Sequence, residues 1–163
     1  MTPALRRSAD GAPMLDLVTF HVHQLVFGAP ITSVRETIAL RPITPLFHVP
    51  HCLAGIANLR GEILAVLDVG ALLGLDTTHH GPDSRIVIVE HAGRAAGLIV
   101  DRLDAIVSLA VDAIAEPPPT LSAEVARLLS GVVSTAERSI AVLDVARLFA
   151  SAELAPYARA HAG

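Results

Sequence analysis

The stretch 55-GIANLRGEILAVLDVGALLG-74 sets Arg60 and Glu62 on either side of Gly61 in a run that is otherwise almost wholly apolar. A lone guanidinium in a core is costly unless it is paired. Two arrangements relieve the conflict: the run folds back on itself with Arg60 at an exposed tip, or the arginine has a partner. Asn58, Arg60 and Gly61 are residue types that suit a tight turn between antiparallel strands. The spacing therefore predicts a hairpin over 55–67, followed by a short helical turn that Asp68 caps.

The pattern recurs further along the chain. Residues 55–73 align without a gap on 131–149, an offset of 76 that sets Gly55 on Gly131, Leu64 on Ile140, AVLDV 65–69 on AVLDV 141–145, and Leu72 on Leu148. A weaker match at an offset of 69 sets GAPITSV, 28–34, on GLIVDRL, 97–103. Two internal matches in the same order imply that a β-rich unit of about 70 residues occurs twice.

Outward from these anchors the chain reads as many short strands. MLDLVTFHVHQLVFGAPI, 14–31, alternates apolar and polar residues and predicts a hairpin. VRETIALRPITPLFHVPH, 34–51, continues extended, because Pro42, Pro45 and Pro50 hold their preceding residues out of the helical region. DTTHHGPDS, 76–84, is a polar loop, and RIVIVEHAGRAAGLIVD, 85–101, is a hairpin around Gly93. AEPPPT, 115–120, is a stiff connector. LSAEVARLLSGV, 121–132, places Leu121, Val125, Leu128 and Leu129 at helical spacing, and predicts a helix capped by Thr120 or Ser122. SIAVLDVARLFA, 139–150, is a strand, a turn and a closing helix. Many short strands with turn signals point to two small β-barrels or a sandwich.

Composition narrows the functions open to such a chain. At 163 residues it forms one domain or two small modules sharing a core. A net charge of -4 gives no basic face for nucleic acid or an anionic membrane. No apolar stretch is long enough to span a bilayer, and the N-terminus lacks a signal-peptide core, so a cytoplasmic location is expected. Cys52 is the single cysteine, which leaves no internal disulfide and no multi-cysteine metal site. All 12 basic residues are arginine, which removes the phosphate-loop lysine and Schiff-base chemistry.

Eight histidines raise the question of a metal. His21 and His23 are placed on one strand face, His48 and His51 flank a turn, and His79 and His80 share a loop. No pair has a recognisable zinc spacing to a third ligand, so no metal is expected. Asp68 and Asp144 occupy equivalent positions before short apolar helical turns and read as N-caps rather than as a paired acid and base. No nucleophile elbow is present. What these roles leave over is a polar cluster, Glu36 in VRET with Asn58, Arg60 and Gly61 in NLRG. Arginine's flat fork engages a carboxylate in two bonds. Glu36 is the partner available within the fold, and a partner protein is the second.

At these residues the chain resembles the CheW-like family, the chemotaxis coupling proteins of bacterial chemosensory arrays. The motifs run from about Leu15 to Phe149: FGAPITSVRETI; ITPLFHVPHCLAGIANLRGEILAVLDVGALLGL; RIVIVEHAGRAAGLIVDRLDAI; EPPPTL with SGVVSTAERSIAVLDVARLF. The family's pattern is departed from at Phe47, Cys52 and Ala65. The resemblance implies a mainly β fold of two SH3-like five-stranded β-barrels with a few short helices. The N-terminal residues read as a disordered tail over 1–13; the resemblance implies a CheW-like domain of two interleaved barrels over 14–150, with a helix end and tail over 151–163. It implies no catalysis and no cofactor. Its expected partners are the cytoplasmic tip of a methyl-accepting chemoreceptor and the regulatory domain of a CheA-type histidine kinase. By the same resemblance Val34, Glu36, Gly55, Asn58, Arg60 and Gly61 belong to the receptor side. Flagellar, pilus-motility and second-messenger pathways are equally open. The rival expectation is a stand-alone small-ligand or metal-sensing β-barrel with the histidines as ligands.

Overall fold

The alternation that begins at Pro13 folds as a strand, and the chain reverses at His23 and Gln24 into its antiparallel neighbour. The protein, a computed structural model, is described over residues 6–157. In chain order the strands are β1 (Arg6–Arg7), β2 (Pro13–Val22), β3 (Leu25–Pro30), β4 (Val34–Ala39), β5 (Leu53–Leu59), β6 (Glu62–Asp68), β7 (Arg85–His91), β8 (Arg94–Val100), β9 (Arg102–Ala110), β10 (Leu129–Ser134) and β11 (Ser139–Leu143). Three short helices are α1 (Val69–Leu72), α2 (Ala123–Ala126) and α3 (Val145–Ala150). Of the tail expected over 1–13, residues 1–5 lie outside the described residues, as do 158–163 of the C-terminal one. Arg6 and Arg7 pair with Met14 and Pro13.

The strands form two five-stranded sheets, with β1 an additional short strand beside β2. The first sheet runs β9-β2-β3-β11-β10 and the second β4-β7-β8-β6-β5. Every pairing in one has its counterpart in the other, including one parallel contact each, β3 with β11 and β8 with β6. The sequence offsets hold at the level of register. Val142 lies opposite Gly28 and Val66 opposite Gly97, a pair related by 76 on one strand and 69 on the other. The second sheet uses the contiguous stretch β4–β8, whereas the first joins β2 and β3 to β9, β10 and β11. The chain crosses between sheets through the 3-10 turn Ile31–Ser33 and again at Asp101. The Asp101 carboxylate accepts from the backbone N–H of His23 at 2.5 Å and of His79 at 3.0 Å, tying the β2–β3 turn to the loop before β7.

Neither sheet closes through a continuous ladder. Each curls until one bridge joins its outer strands' segments, Thr44 with Ile56 and Ala115 with Val132. Both bridges carry two backbone hydrogen bonds of 2.8–2.9 Å. The repeated glycines explain how the strands come this near. A Cβ on Gly55 would stand 2.1 Å from the Thr44 carbonyl oxygen, and one on Gly131 would stand 2.3 Å from that of Ala115.

Three apolar clusters hold the architecture. Leu59, Leu64, Val66, Ile86, Ile88 and Ile99 fill the second sheet. Leu17, Leu109, Val133, Ile140 and Val142 fill the first. Between the sheets lies the largest cluster, with Phe20, Val22 and Phe27 from one side, Val87, Val89 and Leu98 from the other, and Leu148 and Phe149 of α3. β7 supplies both neighbours: Ile86 and Ile88 point into its own sheet, Val87 and Val89 into the shared core. A strand covered on both faces reads as an unbroken apolar run, which explains a hydrophobic fraction of 52%.

Two expectations are corrected. The helix read over 121–132 is a single turn, α2, capped by the Ser122 hydroxyl, which accepts from the Val125 N–H at 3.3 Å. Leu128 and Leu129 are buried in the shared core, Leu129 already in β10, and tertiary burial overrides their helical spacing. His23 is not on the strand face with His21 but in the turn, with φ 54°.

The two repeated aspartates cap their helices unequally. Asp144 Oδ1 accepts from the Arg147 N–H at 3.1 Å. Asp68, only 4% exposed, accepts from the Ala71 N–H at 3.1 Å and from both the N–H and the hydroxyl of Thr78 at 2.9 Å. Thr78 in turn accepts from the Gly70 N–H at 3.1 Å. Asp144→Ala is expected to cost about 1 kcal/mol as a lost cap. Asp68→Ala is expected to cost about 3 kcal/mol, because it strands buried donors as well. Urea denaturation of the two variants measures both, and equal losses would contradict this assignment.

Candidate functional site

The β5–β6 hairpin answers the problem posed by Arg60 in both ways at once. Leu59 pairs with Glu62, leaving Arg60 and Gly61 as the turn residues. Their φ values, 50° and 87°, are those of a type I′ turn, whose twist suits a two-residue hairpin. Asn58 is the last outward-facing residue of β5, and its side-chain oxygen accepts from the Gly61 N–H at 2.9 Å. Arg60 and Gly61 both take left-handed backbone, while Asn58 braces the turn from the strand.

Arg60 stands 67% exposed at this tip and meets Glu36 of β4 through both guanidinium nitrogens, Nη1 at 3.2 Å from Oε1 and Nη2 on Oε2. The hydrogen bond from Arg60 holds the Glu36 carboxyl below the usual carboxylate range, and the same bond raises Arg60 above the ordinary arginine value. Both groups are charged at neutral pH.

A second ion cluster adjoins the pair, and the sequence reading missed it. Val34 lies opposite Val89 and Glu36 opposite Ile88, so Arg35 is the extra residue of a β-bulge. The bulge turns Arg35 toward β6 and β7, where it contacts Glu62 at 2.8 Å and Glu90 at 2.9 Å. Burial opposes the charge on Arg35, and the hydrogen bonds to Glu62 and Glu90 outweigh it, raising its pKa above the usual arginine value. Arg41 adds one more contact, donating to the Asn58 carbonyl oxygen at 3.1 Å. Glu62 is in the opening motif, but strict alternation along VRET gives no sign that Arg35 reaches it.

Five of the six expected site residues thus gather at one end of the second sheet: Val34, Glu36, Asn58, Arg60 and Gly61. Val34 is partly buried and packs on the shared core. Gly55 lies apart, beneath the Thr44 bridge. Ile63, opposite Asn58 in the hairpin, is 58% exposed and adds an apolar side chain to the ions. The arrangement offers charged forks, a rigid turn and an apolar contact, the materials of a protein-binding surface.

Other candidate chemistry takes structural positions. Burial pushes the Cys52 thiol up, away from the reactive range. His23 Nε2 lies 2.7 Å from the Asp76 carbonyl oxygen and His80 Nε2 3.7 Å from Asp68 Oδ2. Among the described residues no three His, Cys, Asp or Glu side chains converge on a metal-sized site, and no helix is long and apolar enough to cross a membrane.

Comparison with known proteins agrees with this architecture. The family model of the CheW-like domain matches residues 16–153. The chemotaxis protein CheW of Rhizobium meliloti is 29% identical over 154 residues, 94% of this chain and 97% of that protein. Protein FrzA of Myxococcus xanthus is 29% identical over 161 residues, 98% and 100% of the two chains. The crystal structure of the scaffolding protein TtCheW from Thermoanaerobacter tengcongensis superposes with a TM-score of 0.78 at 29% identity, covering 89% of this chain and 99% of that one. With a matched model across most of its length and the same fold in a solved relative, the chain belongs to the CheW-like domain family.

Proposed function

We propose that this chain is a non-enzymatic cytoplasmic adaptor that couples chemoreceptors to a CheA-type histidine kinase in a chemosensory array. Its receptor side is the end of the second sheet, where Glu36, Asn58, Arg60 and Gly61 form the contact surface and Val34 and Gly55 support it. The observation that carries this reading is the Arg60–Glu36 fork, displayed at an exposed two-residue turn. In the connection between β10 and β11, residues 135–138, the position equivalent to Arg60 is Ala136. The scaffold role stated for the Thermoanaerobacter protein supports the same reading.

The mechanism is positional. The adaptor holds two partners in register, and a change in one alters its contacts with the other as a coupling free energy rather than a reaction. The shared core supports this, because two sheets locked through Phe20, Val87 and Phe149 move as one body. A pull-down tests it. Immobilised receptor tip fragment is expected to retain the kinase regulatory domain in greater amount when this chain is present. Equal retention with and without the chain would contradict the assignment.

A further inference from the structure

The offsets that relate the two sheets also relate their ends. Arg35 corresponds to Asp104 and Glu90 to His21 at an offset of 69, and Glu62 corresponds to Arg138 at an offset of 76. The backbone is the same at both places. Asp104 lies in a bulge of β9 against β2, where the register shifts between Val18 and Phe20, as Arg35 lies in the bulge of β4 against β7. The contacts are also the same: Asp104 meets Arg138 at 2.5 Å and His21 at 3.8 Å, where Arg35 meets Glu62 and Glu90. What differs is sign. One end sets a cation between two carboxylates, and the other sets a carboxylate between an arginine and a histidine.

The pair beside the cluster is lost as well. Glu36 corresponds to Ala105 and Arg60 to Ala136, while the structural positions Val34 and Gly55 correspond to Leu103 and Gly131. A partner shaped for one end therefore meets the same strands and bulge at the other, joined by a wider turn that lacks the positive-φ pair of Arg60 and Gly61. Between the matched bulges charge is the main difference, and like-charge juxtaposition is one device for refusing a wrong fit.

We propose that the sign of this bulge-borne ion cluster is a specificity determinant, one that confines the receptor partner to the β4–β8 end and makes the adaptor univalent for it. The proposal rests on the receptor-side reading above. It adds Glu62 and Glu90 to the surface, and it requires the partner to present a carboxylate toward Arg60 and a lysine or arginine toward Glu90, the more exposed of the two acids. At the other end that cation would face Arg138 and His21.

Two variants test it with a receptor tip fragment in isothermal titration calorimetry. The triple change Arg35→Asp, Glu62→Arg and Glu90→His transplants the reversed cluster while keeping every pair complementary and leaving Arg60 and Glu36 intact. It is expected to keep its melting temperature and weaken receptor binding roughly tenfold or more; affinity within about twofold of the parent chain would overturn the proposal. The converse graft, His21→Glu, Asp104→Arg, Ala105→Glu, Ala136→Arg, Glu137→Gly and Arg138→Glu, is expected to bind two fragments where the parent binds one. A graft that folds and still binds one overturns it, as does a parent that already binds two. A parent that binds none defeats the receptor-side reading itself.

Discussion

Arg60→Glu is expected to leave the fold intact and to weaken receptor-tip binding roughly tenfold or more. The fold survives because the Arg60–Glu36 pair is an exposed one, and such pairs add little to stability. Binding suffers because the change sets two carboxylates together and removes the cation that the turn itself displays. Glu36→Arg added to it re-forms a complementary pair with the charges exchanged, so thermal stability should return fully and binding in part. Partial recovery is the informative outcome, since it separates the pair's role in holding the turn from the partner's need for a cation at position 60. The pH profile follows from the direction of the Glu36 shift. A carboxyl lowered in the folded state contributes above its ordinary range and loses that contribution only as the pH falls through the lowered value. Parent-chain binding should therefore be flat between about pH 6 and pH 8 so far as this pair is concerned. Normal binding of both partners by Arg60→Glu would remove the arginine from the site.

Gly55→Ala is expected to destabilise the protein by on the order of 4 kcal/mol, the largest loss anticipated for any one-methyl change here. The new Cβ would fall 2.1 Å from a backbone oxygen, which has no rotamer with which to yield, and the φ of 148° adds strain for any other residue. Either the Thr44–Ile56 bridge opens or β5 shifts register. Gly61→Ala makes the contrast: its φ is 87°, but no atom stands within 4 Å of the new Cβ. It should cost about 1 kcal/mol. Urea midpoints compare the two directly, and similar losses would mean that the bridge is not what Gly55 serves. Binding by Gly55→Ala should fall only in proportion to unfolding, which distinguishes a supporting residue from a contact.

Most of the architecture was legible because the protein repeats itself. AVLDV occurs twice, and the offset of 76 recovers β5, β6 and α1 as β10, β11 and α3. The offset of 69 recovers the β2–β3 and β7–β8 hairpins through Gly28 and Gly97, both opposite a valine of a parallel neighbour. The Arg60–Glu36 pair was legible because a charge in an apolar hairpin has to be explained. The helix predicted over 121–132 shortens to one turn because Leu129 also opens the alternation Leu129, Gly131, Val133, and the packing of the cores selects the strand. The ion cluster on Arg35 was hidden for a different reason. A bulge shifts every side chain beyond it by one position, and nothing within VRET marks where the extra residue falls. It becomes visible in retrospect as a matched bulge at Asp104, which the same offset locates.

The most direct measurement of the coupling itself is kinase autophosphorylation in a reconstituted mixture of receptor fragment, CheA-type kinase and this chain. The predicted result is a rate that changes with the receptor's ligand state when the chain is present, and that loses this dependence when the chain is omitted or carries Arg60→Glu. A rate that follows the receptor equally well without the chain would contradict its role as the coupling element.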